Sequence, residues 1–319
     1  MRILLIAPKF NGYYSDIVDE LKRQSHEVDY FFDENYLKGA CKYIAKYFIY
    51  YRSLMFDKYF KNEMMRVNHK HFDIILLIFG GRCIEEKHIQ EIKALHPEAK
   101  LIYYNWDSVK NFPNVLGFLH LFDERWSFDQ NDCEKYGFQF LPLFYCNKKI
   151  AGEPIYDVAT IMGFSSNKAK SFALVKSKLP DNIRMNQNLV LPSKLSFFKN
   201  KVLHPRLFKG FKKNDFLYSS LSRDESYQVM ANARAIIDCP LDGQNGLTIR
   251  TFEVLAQNRK LITTNSNVVN YDFYDSRNIF VINSDTGVIP ISFFETPFIE
   301  KENVINSYSL PAFLKKLIG

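Results

Sequence analysis

The chain has 319 residues, 47% of them hydrophobic, and a formal net charge of +7. That length suits two domains of about 150 residues each, and that hydrophobic share excludes a disordered chain. Five cysteines (Cys41, Cys83, Cys133, Cys146 and Cys239) show no C-x-x-C and no regular spacing, so buried free thiols in a reducing compartment are expected rather than a disulfide framework.

Arg2 to Ala7 is an apolar run broken by Pro8, too short for a secretory signal and fitted to a buried strand. Ser15 to Ser25 follows as a helix with Ile17, Val18 and Leu21 inward, and Glu27 to Phe32 as a second strand. This β-α-β opening predicts a doubly wound parallel sheet. The first turn, Pro8 to Gly12, is not G-x-G-x-x-G, so no dinucleotide is indicated. Ligands in such sheets still gather at the carboxyl ends of the strands, which places Lys9, Asn11 and Gly12 beside a cleft. Residues 40 to 68 read as a long basic, aromatic helix with Ile44, Phe48, Tyr51, Met55 and Tyr59 on one stripe. Phe72 to Phe79 is a buried strand, Ile84 to His96 a helix stopped by Pro97, and Lys100 to Tyr104 a strand with Trp106, Asp107 and Ser108 at its carboxyl end. Strands over Leu121 to Phe128 and Phe138 to Phe144 complete the first sheet, and the polar stretch from Asn147 to Pro154 marks a domain boundary near residue 150.

The second half restarts with a strand, Tyr156 to Met162, whose exit loop holds Gly163, Ser165 and Ser166. Charge is uneven: residues 1 to 150 carry a net of +1 and the remainder +6. Between Lys168 and Lys213 twelve Lys or Arg face a single acid, Asp181. Phosphate attracts such a segment, whether on a nucleotide, a lipid headgroup or a nucleic acid. No 18-residue apolar stretch occurs, so no membrane-spanning helix is expected. The C-terminal residues Ser309 to Ile318 read as a helix with Leu310, Phe313, Leu314 and Leu317 on one face.

The most informative stretch runs from Asp238 to Asn265: a strand end, a polar loop with Gly243 and Gly246, a helix carrying Ile249, Phe252, Leu255 and Ala256, and a strand from Lys260 to Thr264. Asn245 or Thr248 can cap the helix. A glycine-bearing loop feeding a helix N-terminus leaves backbone N–H groups for an anion. Arg250 in the first turn opposes the helix dipole unless an anion is near, and Glu253, one turn on, can accept hydrogen bonds from a ribose.

This stretch resembles the donor-binding segment of GT-B glycosyltransferases, in which a glycine loop precedes a helix bearing a Glu and then Leu-Ala; Gly246, Leu247, Glu253, Leu255 and Ala256 stand at those places. Group 1 members carry a further Glu eight residues earlier, where this chain has Asn245. Blocks at Asn105 to Ser108, Ser127 to Asp132, Phe140 to Tyr145, Gly246 to Glu253 and Lys260 to Asn265 resemble those of bacterial capsule and lipopolysaccharide biosynthesis proteins. The resemblance implies two Rossmann-like domains facing a cleft. The first domain (1–150) would take the acceptor, and the second (151–319) a nucleotide sugar, with the last helix packing back on the first. It implies donor contacts from Gly163, Ser165, Ser166, Gln244, Asn245, Gly246, Leu247, Thr248, Arg250 and Glu253. Lys9, Asn11, Gly12 and Trp106 would lie on the acceptor side. The acceptor implied is a saccharide or lipid-linked saccharide. Apart from the resemblance, the free cysteines and the lack of a signal or spanning segment lead to the expectation of a cytoplasmic protein. The basic Lys168 to Lys213 segment, with the 42 to 66 tract, leads to that of peripheral binding to the anionic cytoplasmic face of the inner membrane.

No D-x-D, P-loop, G-x-S-x-G or H-E-x-x-H occurs, so neither a metal nor another cofactor is expected. Asp107 is the candidate general base, since Trp106 can shield it and raise its pKa; the alternative is that it caps the next turn. Asp123, Glu124, Asp129 and Asp132 read as helix-end and surface charges. Two rivals stay open: a sugar-nucleotide epimerase of the same fold, and a basic nucleic-acid binder. No nucleic-acid partner is expected, because the basic segment lacks any recognised module.

Overall fold

The computed structural model describes every residue except 35–48, 80, 147–149, 151, 207, 209–210 and 242. Its described elements in chain order begin with β1 (Arg2–Ala7), α1 (Tyr13–Arg23), β2 (Glu27–Phe32), α2 (Ile49–Val67), β3 (Ile74–Ile78) and α3 (Glu86–Leu95). There follow β4 (Lys100–Asn105), β5 (Glu124–Ser127), α4 (Gln130–Tyr136) and β6 (Gln139–Phe140). The chain continues with β7 (Tyr156–Gly163), α5 (Ser166–Ser177), β8 (Met185–Val190), α6 (Lys194–Leu203), β9 (Phe216–Leu217), α7 (Arg223–Ala231) and β10 (Ala233–Asp238). It ends with α8 (Ile249–Ala256), β11 (Lys260–Thr263), β12 (Ile279–Val281), α9 (Ser292–Glu295), α10 (Glu302–Asn306) and α11 (Leu310–Ile318). The chain divides into two compact units, Met1–Pro142 with Leu310–Gly319, and Leu143–Ser309.

The first unit is built on a six-stranded sheet of order β2-β1-β3-β4-β5-β6, in which every pairing is parallel. Runs such as Ile3 to Ile6 and Ile74 to Ile78 are buried throughout, as a sheet covered on both faces requires. The chain order reverses between β1 and β3, so the loops after these two strands open the crevice where ligands of such sheets sit. α11 belongs to this unit, burying Leu310, Phe313, Leu314 and Leu317, with the Phe313 ring set edge-on to Tyr104 at 4.8 Å.

The second unit has a six-stranded parallel sheet of order β12-β11-β10-β7-β8-β9. Read from its first strand, that order winds outward to β9, then returns to β7 and winds the other way. The switch falls between β7 and β10, whose carboxyl ends are Gly163 and Asp238. Its core gathers Val158, Phe172, Leu189, Phe197, Phe208, Phe216, Ile237 and Ile262.

Several local expectations shift. Residues 40–48 of the long basic tract lie outside the described residues. In the described part the inward face is Phe56, Phe60, Met64 and Val67, one residue on from the expected Tyr51, Met55 and Tyr59. The tyrosines sit at the boundary, where Tyr59 Oη accepts the Phe32 N–H at 2.9 Å, and the fully apolar side chains take the interior. The strand expected over 121–128 is only β5; Phe118 and Phe122 instead turn inward to pack on the Tyr103 ring. β6 is two residues long and ends before Pro142, which has no N–H to donate to a neighbouring strand.

Candidate functional site

Both sheets carry chemistry at their carboxyl edges. In the first unit the turn after β1 uses left-handed backbone at Asn11 (φ 44°) and Gly12 (φ 78°), with Gly12 as the N-cap of α1. This turn delivers Tyr13, whose ring lies 5.8 Å from Trp106 at the end of β4. The structure therefore joins the Gly12–Tyr13 corner to Trp106, the neighbour of Asp107 in the chain. Lys9 points the other way, its Nζ 5.6 Å above the Phe32 ring at the end of β2. At the switch point itself Phe79 is left-handed (φ 75°), a costly conformation for a bulky residue. It is held there by the Tyr103 hydroxyl, which donates to the Phe79 carbonyl at 2.8 Å.

Asp107 is fixed through one oxygen. Its Oδ1 accepts the Ser108 N–H at 2.8 Å and the Asn111 Nδ2–H at 2.9 Å. Among the described residues no hydrogen bond engages Oδ2. Burial raises its pKa above the ordinary carboxylate value, and the bonds from Asn111 and Ser108 and the charge of Arg82 only partly offset this. Turn capping and base-like placement thus coexist on the same side chain.

Asp132 is a correction. Rather than a surface charge it is buried at 7% exposure, and its Oδ2 accepts the Val109 N–H at 2.8 Å and the Asn105 amide at 3.5 Å. Burial raises its pKa too. It braces the 105–109 turn that carries Asp107. Asp129, read as a helix-end charge, is the N-cap of α4 but is buried as well.

In the second unit a pocket of about 250 Å³ opens beyond β10 and β11, lined by Ser171, Gly243, Gln244, Asn245, Asn265 and Asn267 among others. Asparagines clasp its two loops together. Asn265 Nδ2 donates to the carbonyls of Asn245 (3.1 Å) and Gly246 (3.3 Å), and Asn267 Nδ2 donates to Asn245 as well (3.1 Å). Gly246 and Leu247 are buried as the floor of this turn.

Thr248 is the N-cap of α8, yet its side chain makes no capping bond. Its hydroxyl, like that of Thr251, donates instead to the buried Asp238 carboxylate. Of the two capping candidates, then, Thr248 holds the position, and its hydroxyl serves the strand end. Across the switch point Gly163 is exposed. Ser165 caps α5, its Oγ accepting the Lys168 N–H at 3.4 Å. Ser166 opens α5, and its side chain lies outside the described residues. Lys168 is close enough to Cys239 to act on it electrostatically, although burial dominates and pushes that thiol up to about 12.

Arg250 and Glu253 form a different arrangement from an exposed first-turn pair. The Glu253 side chain is 1% exposed and Arg250 21%, with Nη1 of Arg250 3.0 Å from Oε2 of Glu253. The buried Tyr227 hydroxyl donates to Oε1 of Glu253 at 3.0 Å, so both carboxylate oxygens are engaged within the unit. Arg250 Nη1 also lies 3.3 Å from Met230 Sδ. Sequence reading missed Tyr227, Asn265, Asn267, Arg82 and Asp132. The polar cluster Thr264 to Asn267 directly after a strand was a usable signal, whereas Tyr227 had none. Among the described residues no three His, Cys, Asp or Glu side chains converge as a metal site would need.

Neither any protein-family model nor any curated protein sequence matches the chain. Solved structures do. Sucrose-phosphate synthase from Thermosynechococcus elongatus superposes with a TM-score of 0.65 at 9% identity, over 99% of this chain and 97% of that one. Anabaena HepE, solved in complex with UDP-glucose, gives a TM-score of 0.57 at 12% identity over 99% and 94%. A glycosyltransferase from Rickettsia africae gives 0.54 at 13% identity over 99% and 96%. The fold is therefore that of the GT-B glycosyltransferases: two parallel-sheet Rossmann-like units whose likeness runs over nearly the whole chain.

Proposed function

We propose that the protein is a glycosyltransferase that takes a sugar from a nucleotide-activated donor and passes it to a saccharide or lipid-linked acceptor in cell-surface polysaccharide synthesis. The observation that carries this reading is the α8 N-terminus: the Thr248 side chain at its N-cap turns to Asp238 instead of capping it, it follows the asparagine-clasped pocket, and it stands at the carboxyl edge of a parallel sheet. Backbone N–H groups and the helix dipole there favour an anion, and a nucleotide diphosphate brings one. Solved neighbours of the same fold include one bound to UDP-glucose, which supports the substrate class.

The pocket loop (Gln244 to Thr248) with Gly163 and Ser165 would hold the donor, and Arg250 would offset diphosphate charge. Because Glu253 is buried on Arg250 and Tyr227, we assign it to fixing the guanidinium rather than to meeting the ribose. Asp107, with Oδ1 anchored, would take the acceptor hydroxyl proton through Oδ2 as the hydroxyl oxygen attacks the anomeric carbon. The nucleotide diphosphate leaves with the bonding pair, its charge stabilised by helix dipole and cation with no metal in the scheme. Gly12, Asn11, Trp106 and Lys9 remain the acceptor-side residues of this reading.

The test is product formation. The protein is incubated with UDP-, GDP- and ADP-sugars and with oligosaccharide or lipid-linked acceptors, and release of nucleotide diphosphate is followed. Acceptor-dependent release that Asp107→Asn abolishes is expected. Release unaffected by that change would remove the base from the scheme.

A further inference from the structure

α6 meets the rest of the second unit through one large side chain. Phe197 is buried at 3% exposure, against Phe208 and Phe216 with ring centroids 5.9 and 5.7 Å away. The opposite side of the helix is apolar too, and it is bare. Leu195 is 80% exposed, Phe198 53%, Val202 79% and Leu203 59%. Residues 195, 198 and 202 share one face at i, i+3 and i+7, with 203 beside them. Lysines frame that face: Lys199 on one side, Lys194 and Lys201 on the other, all exposed. Arg206, Lys212 and Lys213 extend the positive charge beyond the helix, with Lys213 Nζ 5.9 Å over the Phe198 ring. From residue 182 to residue 214 the chain holds no acid at all.

We propose that α6 is a membrane-surface helix, lying in the plane of an anionic bilayer with Leu195, Phe198 and Val202 in the headgroup–acyl boundary and its lysines on lipid phosphates. The pairing of an exposed apolar stripe with flanking cations is what such a helix needs, since the stripe supplies burial and the lysines supply attraction while their stems snorkel. At ten residues the helix is far too short to span, and no described helix is long and apolar enough to do so. A second copy of the chain is a poor occupant: a two-fold contact through this face would set one lysine row against its own image. The face is also a convex helix surface presenting separate side chains, and a planar fluid layer suits that shape without a matched groove. This inference stands apart from the donor-site reading, because lipid binding and nucleotide binding are measured separately.

Co-sedimentation of the full chain with phosphatidylcholine vesicles, and with vesicles containing a third phosphatidylglycerol, tests it at low and high salt. Binding to the anionic vesicles is expected, with little on neutral ones and a steep fall at high salt. Replacing Lys194, Lys199 and Lys201 together by Gln should cut the partition coefficient roughly a hundredfold, at the usual strength per basic residue near an anionic leaflet. Phe198→Ser with Val202→Ser should cut it at least tenfold while leaving the melting temperature in place, since both side chains are already exposed. In Phe198→Trp, emission should shift to the blue on anionic vesicles only. Equal retention on both vesicle types, or apolar variants that bind as well as the parent, would overturn the proposal. So would a dimer in sedimentation velocity that Phe198→Ser dissolves, which would give the face to a second copy.

Discussion

The two sheet edges occupy equivalent places in their units and hold their carboxylates differently. At the carboxyl edge of the first sheet stand carboxylates and rings: Asp107 and Asp132, both raised by burial, with Tyr13, Tyr103, Tyr104 and Trp106 around them. At the edge of the second stand amides, the Thr248 and Thr251 hydroxyls on the buried Asp238 carboxylate, the N-terminus of α8 and the Arg250–Glu253 pair, in the half of the chain that carries +6 of the net charge. On the proposed function, the first edge would take a neutral hydroxyl that must lose a proton, and the second a ligand that is already an anion. Topology places a site, and local composition decides what it can take.

The largest effect should come from the first edge. Asp107→Asn keeps an oxygen for the Ser108 N–H and removes the base, so turnover is expected to fall about 10²–10⁴-fold. Donor affinity should not change, and a calorimetric titration beside the rate measurement separates the two. On the second edge, Arg250→Ala takes the guanidinium away from the buried Glu253 carboxylate. Losing one partner of a buried pair costs about 3–5 kcal/mol; with Arg250 21% exposed, the low end is expected in urea unfolding. A change below about 1 kcal/mol would return the pair to the rank of a surface ion pair.

Asn265→Ala should cost less, about 1–2 kcal/mol, since it removes the clasp on the Asn245 and Gly246 carbonyls at a site where partners can rehydrate. Its sharper signature is a weaker donor complex, read by titration of the folded variant. The smallest effect concerns pH. If Asp107 is the base it acts only when ionised, so turnover should fall as pH drops through its raised pKa, with the acid limb above that of an ordinary aspartate. Asn111→Ala removes a hydrogen bond that favours the ionised form, and the limb should move to higher pH. A limb that stays put would mean that Asn111 does not tune the base.

Much of the framework was legible because it rests on local pattern. Continuous apolar runs such as Ile3 to Ile6 announced buried parallel strands, and the glycine loop before an amphipathic segment announced α8. What was not legible depends on partners distant in sequence. Glu253 reads as a carboxylate open to a ribose until Tyr227, 26 residues earlier, closes over it from α7. Asp132 reads as a helix charge until the turn after β4 presents the Val109 N–H to it. On α6, Phe197 and Phe198 are neighbours in an apolar string, and only the packing shows that one is core and the other surface. Alternation of burial around a short helix has no sequence signal when both faces are apolar.

On the proposed function, the second unit binds a nucleotide-activated sugar. Thermal melting of the unmodified chain with a panel of nucleotide sugars, free nucleotides and free sugars tests it without requiring an acceptor. A ligand at a hundred times its Kd adds about 2.7 kcal/mol, a shift of several degrees for units of this size. At least one nucleotide sugar and its parent nucleoside diphosphate should raise the melting temperature, while the free sugar should not. If no nucleotide in the panel moves it, the α8 N-terminus is not a donor site and the proposed function is wrong.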